Sequence, residues 1–164
     1  MTTTIRTFRH ADLEALVDLS LLAWAPVYDA WRAILGERIY ELAYPDWRRT
    51  QAETVRSTCA QHAATTLVAE REGRAVGFVT AVLGEPDRES RRTGDVELVA
   101  VDPAAHRTGV GGALLEAALD LMREAGCASA SVWTGGDDGH GPARAMYGAA
   151  GFTALPLVHY YRAL

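Results

Sequence analysis

The sequence has few cysteines, no long apolar run and no excess of positive charge. Cys59 and Cys127 lie far apart and outside any C-x-x-C arrangement, so we expect two apolar thiols rather than a metal site or a disulfide. No apolar stretch approaches the roughly 20 residues of a membrane span, and the start MTTTIRTFRHADLEAL is polar with early charges. The net charge of -5 excludes a generally basic surface for nucleic acid or anionic lipid, although a local basic patch is compatible with it. We therefore expect a cytoplasmic protein that binds neither nucleic acid nor membrane.

The size of the chain favours one domain. A length of 164 residues with 49% hydrophobic content suffices for one well-buried core and is short for two. No repeat, low-complexity tract or linker divides the sequence. We expect a single domain over residues 1–164.

The first half of the chain is mainly helical in pattern. TTIRTF predicts a short edge strand, and ADLEALVDLSLLAW predicts a helix from Asp12 that Pro26 interrupts. VYDAWRAILGERIYEL then predicts a second helix, and DWRRTQAETVRSTCAQHA predicts a third. TTLVAEREGRAVGFVTAVLG contains two β-rich runs around a Glu-Gly turn, which predicts a hairpin.

The second half alternates strands with helices. DVELVAV predicts a strand, and a helix to about Ala125 follows the glycines of HRTGVGGALLEAAL. SASVWT predicts another strand, PARAMYGAA a further helix, and GFTALPLVHYYRAL the closing strands. This order predicts an α/β fold in which helices cover a mixed sheet.

The glycines of HRTGVGGALLEAAL precede a helix directly. Amides at a helix start lack intrahelical acceptors and lie at the positive end of the helix dipole, so they suit an anion such as phosphate; a plain tight turn is the alternative. No Gly-Lys-Ser/Thr follows, which excludes a Walker-type loop, and the G-x-G-G spacing differs from the Rossmann G-x-G-x-x-G.

Two segments carry motifs of a known enzyme superfamily. In VELVAVDPAAHRTGVGGALLEAAL, a strand ending V-x-P is followed by a glycine turn and a helix. This order is similar to motif A of the GNAT superfamily of acyl-coenzyme A-dependent N-acyltransferases, in which V-x-P is followed by R/Q-x-x-G-x-G/A and a helix. His106 occupies the usual Arg or Gln position. GHGPARAMYGAAGF resembles N-x-x-A-x-x-F/L-Y-x-x-x-G-F, with His140 where Asn is common. The resemblance covers essentially the whole chain and is weakest over residues 24–62. The matching positions are Val101, Pro103, Gly109, Val110, Gly111, Ala143, Tyr147, Gly151 and Phe152.

The resemblance implies a fold and a donor. It implies a central, mostly antiparallel mixed sheet, splayed between its fourth and fifth strands and flanked by helices. Acetyl-CoA would lie in the splay, its pantetheine arm along the fourth strand as if it were another strand and its pyrophosphate on the amides after the glycine turn. The implied cofactor-contacting positions are Val99, Ala100, Val101, His106, Arg107, Thr108, Gly109, Val110, Gly111, Gly112, Ala113, His140, Ala143 and Tyr147.

Three residues are candidates for proton transfer. Tyr147 occupies the position of the family's general acid, where its phenol would protonate or hydrogen-bond the leaving sulfur; an ordinary core tyrosine is the alternative. Asp95 and Glu97 lie two apart on one face of a strand, and Asp95 falls where several family members carry a catalytic Glu. Either carboxylate could act as base through water, both could bind a cationic substrate, or both could be solvated strand-end charges.

The resemblance implies an amine as the acceptor of the acyl group. Trp24, Tyr28 and Trp31 recur at helical spacing in the region that covers the family's acceptor pocket, and aromatic faces suit an amine head group or equally a helix-packing core. Asp137, with Asp138 and His140 nearby, predicts a flexible polar loop rather than a metal site. We expect acetyl transfer to a small-molecule primary amine; a peptide or protein amine and a noncatalytic acyl-CoA-binding module are the alternatives, and a homodimer is open.

Overall fold

The computed structural model describes residues 2–89 and 91–164. Over these residues, five strands and five α-helices follow one another in the order β1, α1, α2, α3, β2, β3, β4, α4, β5, α5. The strands are β1 Thr4–Thr7, β2 Thr66–Arg71, β3 Arg74–Leu83, β4 Arg92–Val101 and β5 Cys127–Val132. The helices are α1 Leu13–Leu35, α2 Glu37–Ala43, α3 Trp47–Gln61, α4 Val110–Glu124 and α5 Gly141–Ala149.

The five strands form one mixed sheet in the order β1-β2-β3-β4-β5. The first three pairings are antiparallel, and β4 pairs with β5 in parallel. The predicted hairpin is confirmed, because Glu72 and Gly73 connect β2 to β3 with φ of 50° and 76°. Positive φ at both central residues gives the turn a twist that matches the two flanking strands.

The sheet separates between β4 and β5 as expected. Pairing with β5 runs from Arg92 to Val96, which lies opposite Val132. Among the described residues, 98–101 of β4 pair only with β3. The described part of the chain therefore leaves one edge of this stretch without a neighbouring strand.

Helices cover both faces of the sheet. On one face α4 packs Leu114, Leu115 and Met122 against strand residues that include Val79 and Val96. On the other face α1 and α3 pack against a separate set of strand residues. The central members of this second core are Leu16, Val55, Val68, Phe78 and Leu98. The alternation of side chains along β3 and β4 supplies both cores.

The predicted break at Pro26 is wrong. Leu13–Leu35 is one helix that contains Pro26 and ends at Gly36, whose φ is 74°. Proline costs about 3 kcal/mol inside a helix because it lacks an amide hydrogen and crowds the preceding turn. Packing outweighs this cost here, since Val27 and Tyr28 directly after the proline are buried. The predicted second helix instead divides at Gly36.

The predicted closing strands are also wrong. No strand or helix occurs over residues 152–164, and Pro156 lacks the amide hydrogen that a strand pairing uses. The Tyr161 hydroxyl lies 2.6 Å from the hydroxyl of Tyr44, so the segment runs toward the end of α2 rather than along a strand. Within the described residues, no helix has the length and apolar character needed to cross a membrane.

Candidate active site

The open edge of β4 presents backbone groups to the gap between β4 and β5. The Asp102 amide donates to the Val76 carbonyl at 2.9 Å, and Val101 lies opposite Gly77. Because hydrogen-bonded and non-hydrogen-bonded pairs alternate in an antiparallel ladder, the N–H and C=O of Val101 and Val99 point away from β3. The backbone of Ala100 turns toward β3, so Ala100 offers the gap no main-chain partner. An extended ligand in the gap could thus pair with alternate residues of β4.

A β-bulge lies where β4 and β5 separate. Ala81 of β3 pairs with Val96 and Thr80 pairs with Leu98, so Glu97 is the extra residue between two ladder positions. Glu97 is exposed and forms no ion pair with a described residue. A bulge bends its strand and redirects side chains, which places this carboxylate at the fork of the sheet.

Asp95 stands in a different environment from Glu97. It lies opposite Ser131 in the parallel pairing of β4 and β5, and its carboxylate accepts a hydrogen bond from the Ser131 hydroxyl. Val96 packs with α4, so alternation assigns the neighbouring Asp95 to the face that α1 covers, whereas Glu97 lies in the bulge, where the alternation is interrupted. The sequence placed them together but gave no sign that only Asp95 has a partner.

The N-terminus of α4 carries free amides. Gly109 precedes the helix with a left-handed φ of 83°, and the Ala113 amide donates to the Gly109 carbonyl at 3.0 Å. This first helical bond leaves the amides of Val110, Gly111 and Gly112 without intrahelical acceptors. Arg107 is exposed and also has a positive φ of 59°.

Two contacts anchor the turn before α4. The Thr108 hydroxyl donates to the Ala105 carbonyl at 2.6 Å, and the guanidinium of Arg71 at the end of β2 donates to the same hydroxyl oxygen at 2.8 Å. The His106 ring is turned toward the strand, with Nε2 3.1 Å from the Val101 carbonyl oxygen. Its side chain therefore contacts β4 rather than the helix start.

Tyr147 lies on α5 beside the α4 core. The residue is buried, and its ring packs edge-on against Phe152 with centroids 5.9 Å apart. Burial raises the pKa of Tyr147 to about 12. The phenol therefore stays protonated at neutral pH and is able to donate a proton. Ala143 lies one turn earlier on α5, and it packs with Met146 and Tyr147 in the same core.

The glycine-rich loop before α5 is bound to α1, not free as the sequence suggested. The Asp137 carboxylate accepts hydrogen bonds from Trp31 Nε1 at 3.0 Å and from His140 Nδ1 at 2.7 Å. Arg144 donates to the carbonyls of Gly135 and Asp137, both at 2.6 Å. Burial alone would raise the pKa of Asp137, but the hydrogen bonds from His140 and Trp31 outweigh it and hold that pKa below its ordinary value.

This network orients His140. Because Asp137 accepts from Nδ1, the neutral ring carries its hydrogen there and leaves Nε2 as an acceptor. The loop approaches α1 closely, since a Cβ on Gly139 would lie 2.8 Å from the Val27 Cα. Among the described residues, no group of three or more His, Cys, Asp or Glu is placed to hold a metal ion.

The predicted acceptor residues share one face of α1 and form an aromatic cluster. Tyr28 is buried at its centre; it stacks on Trp47 at 4.2 Å and meets Trp31 edge-on at 5.0 Å. Trp24 is half-buried and contacts the edge of the His140 ring at 6.0 Å. The Trp31 ring also lies near His140, with centroids 5.8 Å apart, so both tryptophans neighbour His140 while Tyr28 mainly packs the helices together.

Sequence reasoning missed several polar partners at the site. Arg71, Ser131 and Arg144 come from separate elements, and nothing in their local sequence marks them. The sequence predicts Asp137 only as part of a flexible polar loop. Two local features could have indicated an ordered loop packed on α1: the short spacing between Asp137 and His140, and the surrounding glycines, which permit a close approach to a neighbouring helix.

Comparisons with known proteins agree with this geometry. Residues 28–152 match the acetyltransferase (GNAT) family. The mycothiol acetyltransferase of Sanguibacter keddieii is 33% identical over 141 residues, which are 82% of this chain and 44% of that protein. The chain therefore spans less than half the length of this curated relative.

Solved structures share the fold. The aminoglycoside antibiotic 6'-N-acetyltransferase AAC(6')-IG from Acinetobacter haemolyticus superposes with a TM-score of 0.66 at 18% identity, covering 98% of both chains. AAC(6')-Iy in complex with the bisubstrate analog CoA-S-monomethyl-acetylneamine gives a TM-score of 0.65 at 20% identity, covering 100% of this chain and 99% of that one. These structures show the shared fold. The match of the family model over residues 28–152, which is most of the chain, and the 33% identity to the mycothiol acetyltransferase over 82% of the chain establish that the chain belongs to the acetyltransferase (GNAT) family.

Proposed function

We propose that this chain transfers the acetyl group of acetyl-CoA to a primary amine of a small molecule while both reactants are bound. The observation that carries the proposal is the series of backbone groups, from β4 to the start of α4, that no second strand pairs within the described chain; of these groups, the Val101 carbonyl oxygen lies 3.1 Å from His106 Nε2. The series begins at Val99 and Val101 on the open strand edge and ends at the amides after Gly109. Backbone pairing suits a pantetheine arm, and helix-start amides suit a pyrophosphate.

The residues present fit acetyl-CoA. Gly109 adopts the left-handed conformation that opens the turn, and Thr108 is tied down by Ala105 and Arg71. An anchored turn holds its amides in place before the ligand arrives, which lowers the cost of ordering them on binding. Bound acetyl-CoA supplies a thioester whose acyl carbon accepts the amine.

We assign the proton steps to Tyr147 and Glu97. The Tyr147 phenol holds a proton at neutral pH and donates it to the departing sulfur. Glu97 stands at the fork of the sheet with no ionic partner among the described residues, so its carboxylate takes the proton from the acceptor amine, directly or through water. Asp95, which Ser131 engages, supports the negative potential of this region.

The acceptor approaches from the face of α1. Trp24 and Trp31 present half-buried rings beside His140, and Glu97 and Asp95 contribute negative charge. Aromatic faces and carboxylates favour a cation. The similar proteins include mycothiol and aminoglycoside acetyltransferases, which are named for small-molecule substrates, and this supports a small-molecule acceptor here.

The acceptor preference is tested by competition. Amines of matched size but opposite charge are offered together with acetyl-CoA, and each product is quantified by mass spectrometry. We expect turnover of the cationic or aromatic amines and rejection of the anionic ones. Trp31→Ala is expected to reduce this selectivity without loss of acetyl-CoA binding, whereas Trp133→Ala, which changes an exposed tryptophan after β5, serves as the matched control. Equal turnover of both amines would contradict the charged acceptor site.

The same assay separates the alternative functions. An amine panel extended to peptides with free N-termini or lysines would favour a peptide acetyltransferase if only the peptides were turned over. Binding of acetyl-CoA without turnover of any amine would favour a noncatalytic acyl-CoA-binding module. Either result would contradict the proposed small-molecule acetyltransferase.

Cofactor recognition is tested by two substitutions near the start of α4. His106→Ala is expected to weaken acetyl-CoA binding by about two- to tenfold. The substitution removes only the hydrogen bond between the His106 ring and the Val101 carbonyl beside the site, while the helix-start amides remain. Gly111→Val is expected to weaken it by about ten- to a hundredfold. The reason is that a Cβ on Gly111 would lie 2.8 Å from Met146 Sδ and 3.6 Å from Val101 Cγ2, so the larger valine side chain crowds the space beside the helix-start amides where the pyrophosphate would bind.

Calorimetric titration with acetyl-CoA measures both effects. Gly112→Ala is the control, since a Cβ there meets nothing within 4 Å, and we expect it to bind almost as the unmodified chain does. If His106→Ala and Gly111→Val were equally impaired, recognition led by the backbone amides would be refuted.

A further inference from the structure

The Asp137 carboxylate is buried although no arginine or lysine side chain among the described residues pairs with it. Its side chain is 5% exposed, and it accepts hydrogen bonds from Trp31 Nε1 at 3.0 Å and from His140 Nδ1 at 2.7 Å. Arg144 bonds to the main-chain carbonyl of Asp137 instead. Burying a carboxylate is costly unless hydrogen bonds compensate for the lost water, so an acid is an unusual choice for packing a loop. Of its two partners, His140 is the one with a second nitrogen to offer a ligand.

His140 has one ring nitrogen that makes no bond to the described chain. Nδ1 donates to Asp137, so in the neutral ring Nε2 keeps its lone pair. In the described part of the chain, Gln51 Nε2 is the one buried side-chain nitrogen or oxygen without a hydrogen-bond partner. His140 Nε2, which bonds to no described residue, is therefore not sealed in the interior. It is an oriented hydrogen-bond acceptor that a ligand or water can reach.

His140 is close to two parts of the proposed site. The centroid of its ring lies 6.0 Å from that of Trp24 and 5.8 Å from that of Trp31, and these are the rings proposed to hold the acceptor. In the chain, His140 directly precedes α5, on which Tyr147 lies seven residues further along. Seven residues are about two helical turns, so both side chains fall on one face of α5, about 10 Å apart along its axis. The residue with the accessible nitrogen thus neighbours the acceptor rings and belongs to the α5 face that carries the proposed acid.

We propose that His140 Nε2 accepts a hydrogen bond from the acceptor amine, and that Asp137 is the positioning residue that keeps Nε2 an acceptor. The inference rests on the proposed acetyl transfer to a small-molecule amine. Glu97 removes the proton of the ammonium, and His140 then holds one N–H of the neutral amine so that the nitrogen lone pair faces the acyl carbon. The nitrogen becomes positive as the new C–N bond forms, so this hydrogen bond is stronger in the transition state than before it. His140 itself neither gains nor loses a proton.

Asp137 acts on the reaction through the His140 ring. An ionised carboxylate accepts hydrogen bonds and donates none, so it fixes the ring hydrogen on Nδ1 and the lone pair on Nε2. The second bond, from Trp31 on α1, holds the carboxylate itself in place. Without the carboxylate the hydrogen is able to move to Nε2, which then opposes an amine N–H instead of accepting it. The arrangement depends on histidine, since the Asn that is common at this position in the family has no atom that corresponds to Nε2.

Two substitutions test the two roles. His140→Asn keeps a donor for Asp137 in place of Nδ1–H but removes Nε2, and Asp137→Asn turns an amide group rather than a carboxylate toward the ring. We expect each to lower kcat for a cationic amine by about ten- to a hundredfold, while acetyl-CoA affinity measured by calorimetry changes by less than about twofold. Asp138→Asn removes the same charge from an exposed neighbour, and we expect its kcat to stay within about twofold of that of the unmodified chain.

Two further measurements separate positioning from a role in packing. Because Asp137 acts through His140, the kcat of the double variant Asp137→Asn with His140→Asn is expected to lie no more than about twofold below that of His140→Asn alone. Nitrogen NMR of the chain with isotope-labelled histidine reports which ring nitrogen carries the hydrogen, and His140→Asn identifies the His140 signals among those of the five histidines. We expect the hydrogen on Nδ1 in the unmodified chain and a shift toward Nε2 in Asp137→Asn, which a role in packing alone would not produce.

The outcomes distinguish a failure of this inference from a failure of the proposed function. Unchanged kcat in both single variants, with normal turnover by the unmodified chain, would overturn the role of His140 alone. Acetyl-CoA affinity that fell as far as kcat would place Nε2 on the acyl donor, as the resemblance implies for this position, and would also overturn it. A double variant far slower than His140→Asn would refute positioning, because Asp137 would then act on the fold rather than through the ring. No turnover of any amine by the unmodified chain would refute the proposed function together with this role.

Discussion

Replacing Tyr147 with Phe is expected to lower kcat by about ten- to a thousandfold while acetyl-CoA affinity changes little. The substitution removes only the phenolic oxygen and keeps the ring that packs against Phe152 at 5.9 Å. The proposed role of Tyr147 as acid operates on the departing sulfur, so its loss affects the chemical step more than binding. Steady-state kinetics and calorimetry separate the two quantities.

The pH dependence provides a second signature for Tyr147. Burial raises its pKa to about 12, so the phenol remains protonated below that value and loses its proton only as the pH rises through it. The ratio of the unmodified rate to the Phe variant's rate should therefore be constant between about pH 6 and 10. Tyr160→Phe is the control, since Tyr160 is exposed. An unchanged kcat in the Tyr147 variant would remove this residue from the mechanism.

Glu97→Gln is expected to lower kcat/KM by about a hundred- to ten-thousandfold at low pH. At low pH the acceptor amine is mostly protonated and needs a base. At high pH the amine loses its proton to solvent, so kcat/KM of Glu97→Gln approaches that of the unmodified chain. The structure favours Glu97 over Asp95 for this role because Glu97 is exposed at the bulge. Rates measured across pH with one amine check the expectation.

Asp95→Asn is the matched comparison for Glu97→Gln. Asn retains an oxygen that accepts from Ser131, the partner of Asp95, and so keeps the cross-strand contact. We expect a modest rise in KM for a cationic amine at every pH, as loss of a charge near the acceptor predicts. If kcat/KM fell only at low pH in Asp95→Asn and stayed normal in Glu97→Gln, the base would be Asp95 instead.

Local patterns predicted most of the sheet and its helices. The β2–β3 hairpin follows from two β-rich runs around Glu72-Gly73, whose positive φ values suit the turn. The strand, glycine turn and helix around Gly109 follow from the motif spacing, and Gly109 has the left-handed φ that such a turn requires. These features depend on residues close in sequence, so they are readable without the fold.

The errors share one physical cause. Pro26 is unfavourable in a helix by any local rule, but the buried residues that follow it hold α1 together. The segment after Gly151 has strand-like composition, yet a strand exists only where a partner edge pairs with it. Both outcomes depended on packing between distant parts of the chain.

The sequence by itself determined the family resemblance, the α/β class, the glycine turn before a helix and the choice of Tyr147, Asp95 and Glu97 as candidates, because each rests on residue types at short, regular spacing. Only the tertiary structure decided that Asp95 is engaged by Ser131 while Glu97 stands at the bulge. It also decided that Asp137, which bonds to the nearby His140, accepts a hydrogen bond from Trp31, 106 residues earlier in the sequence. Such partners meet through the packing of separate elements, and no local pattern records which side chains that packing brings within hydrogen-bond distance.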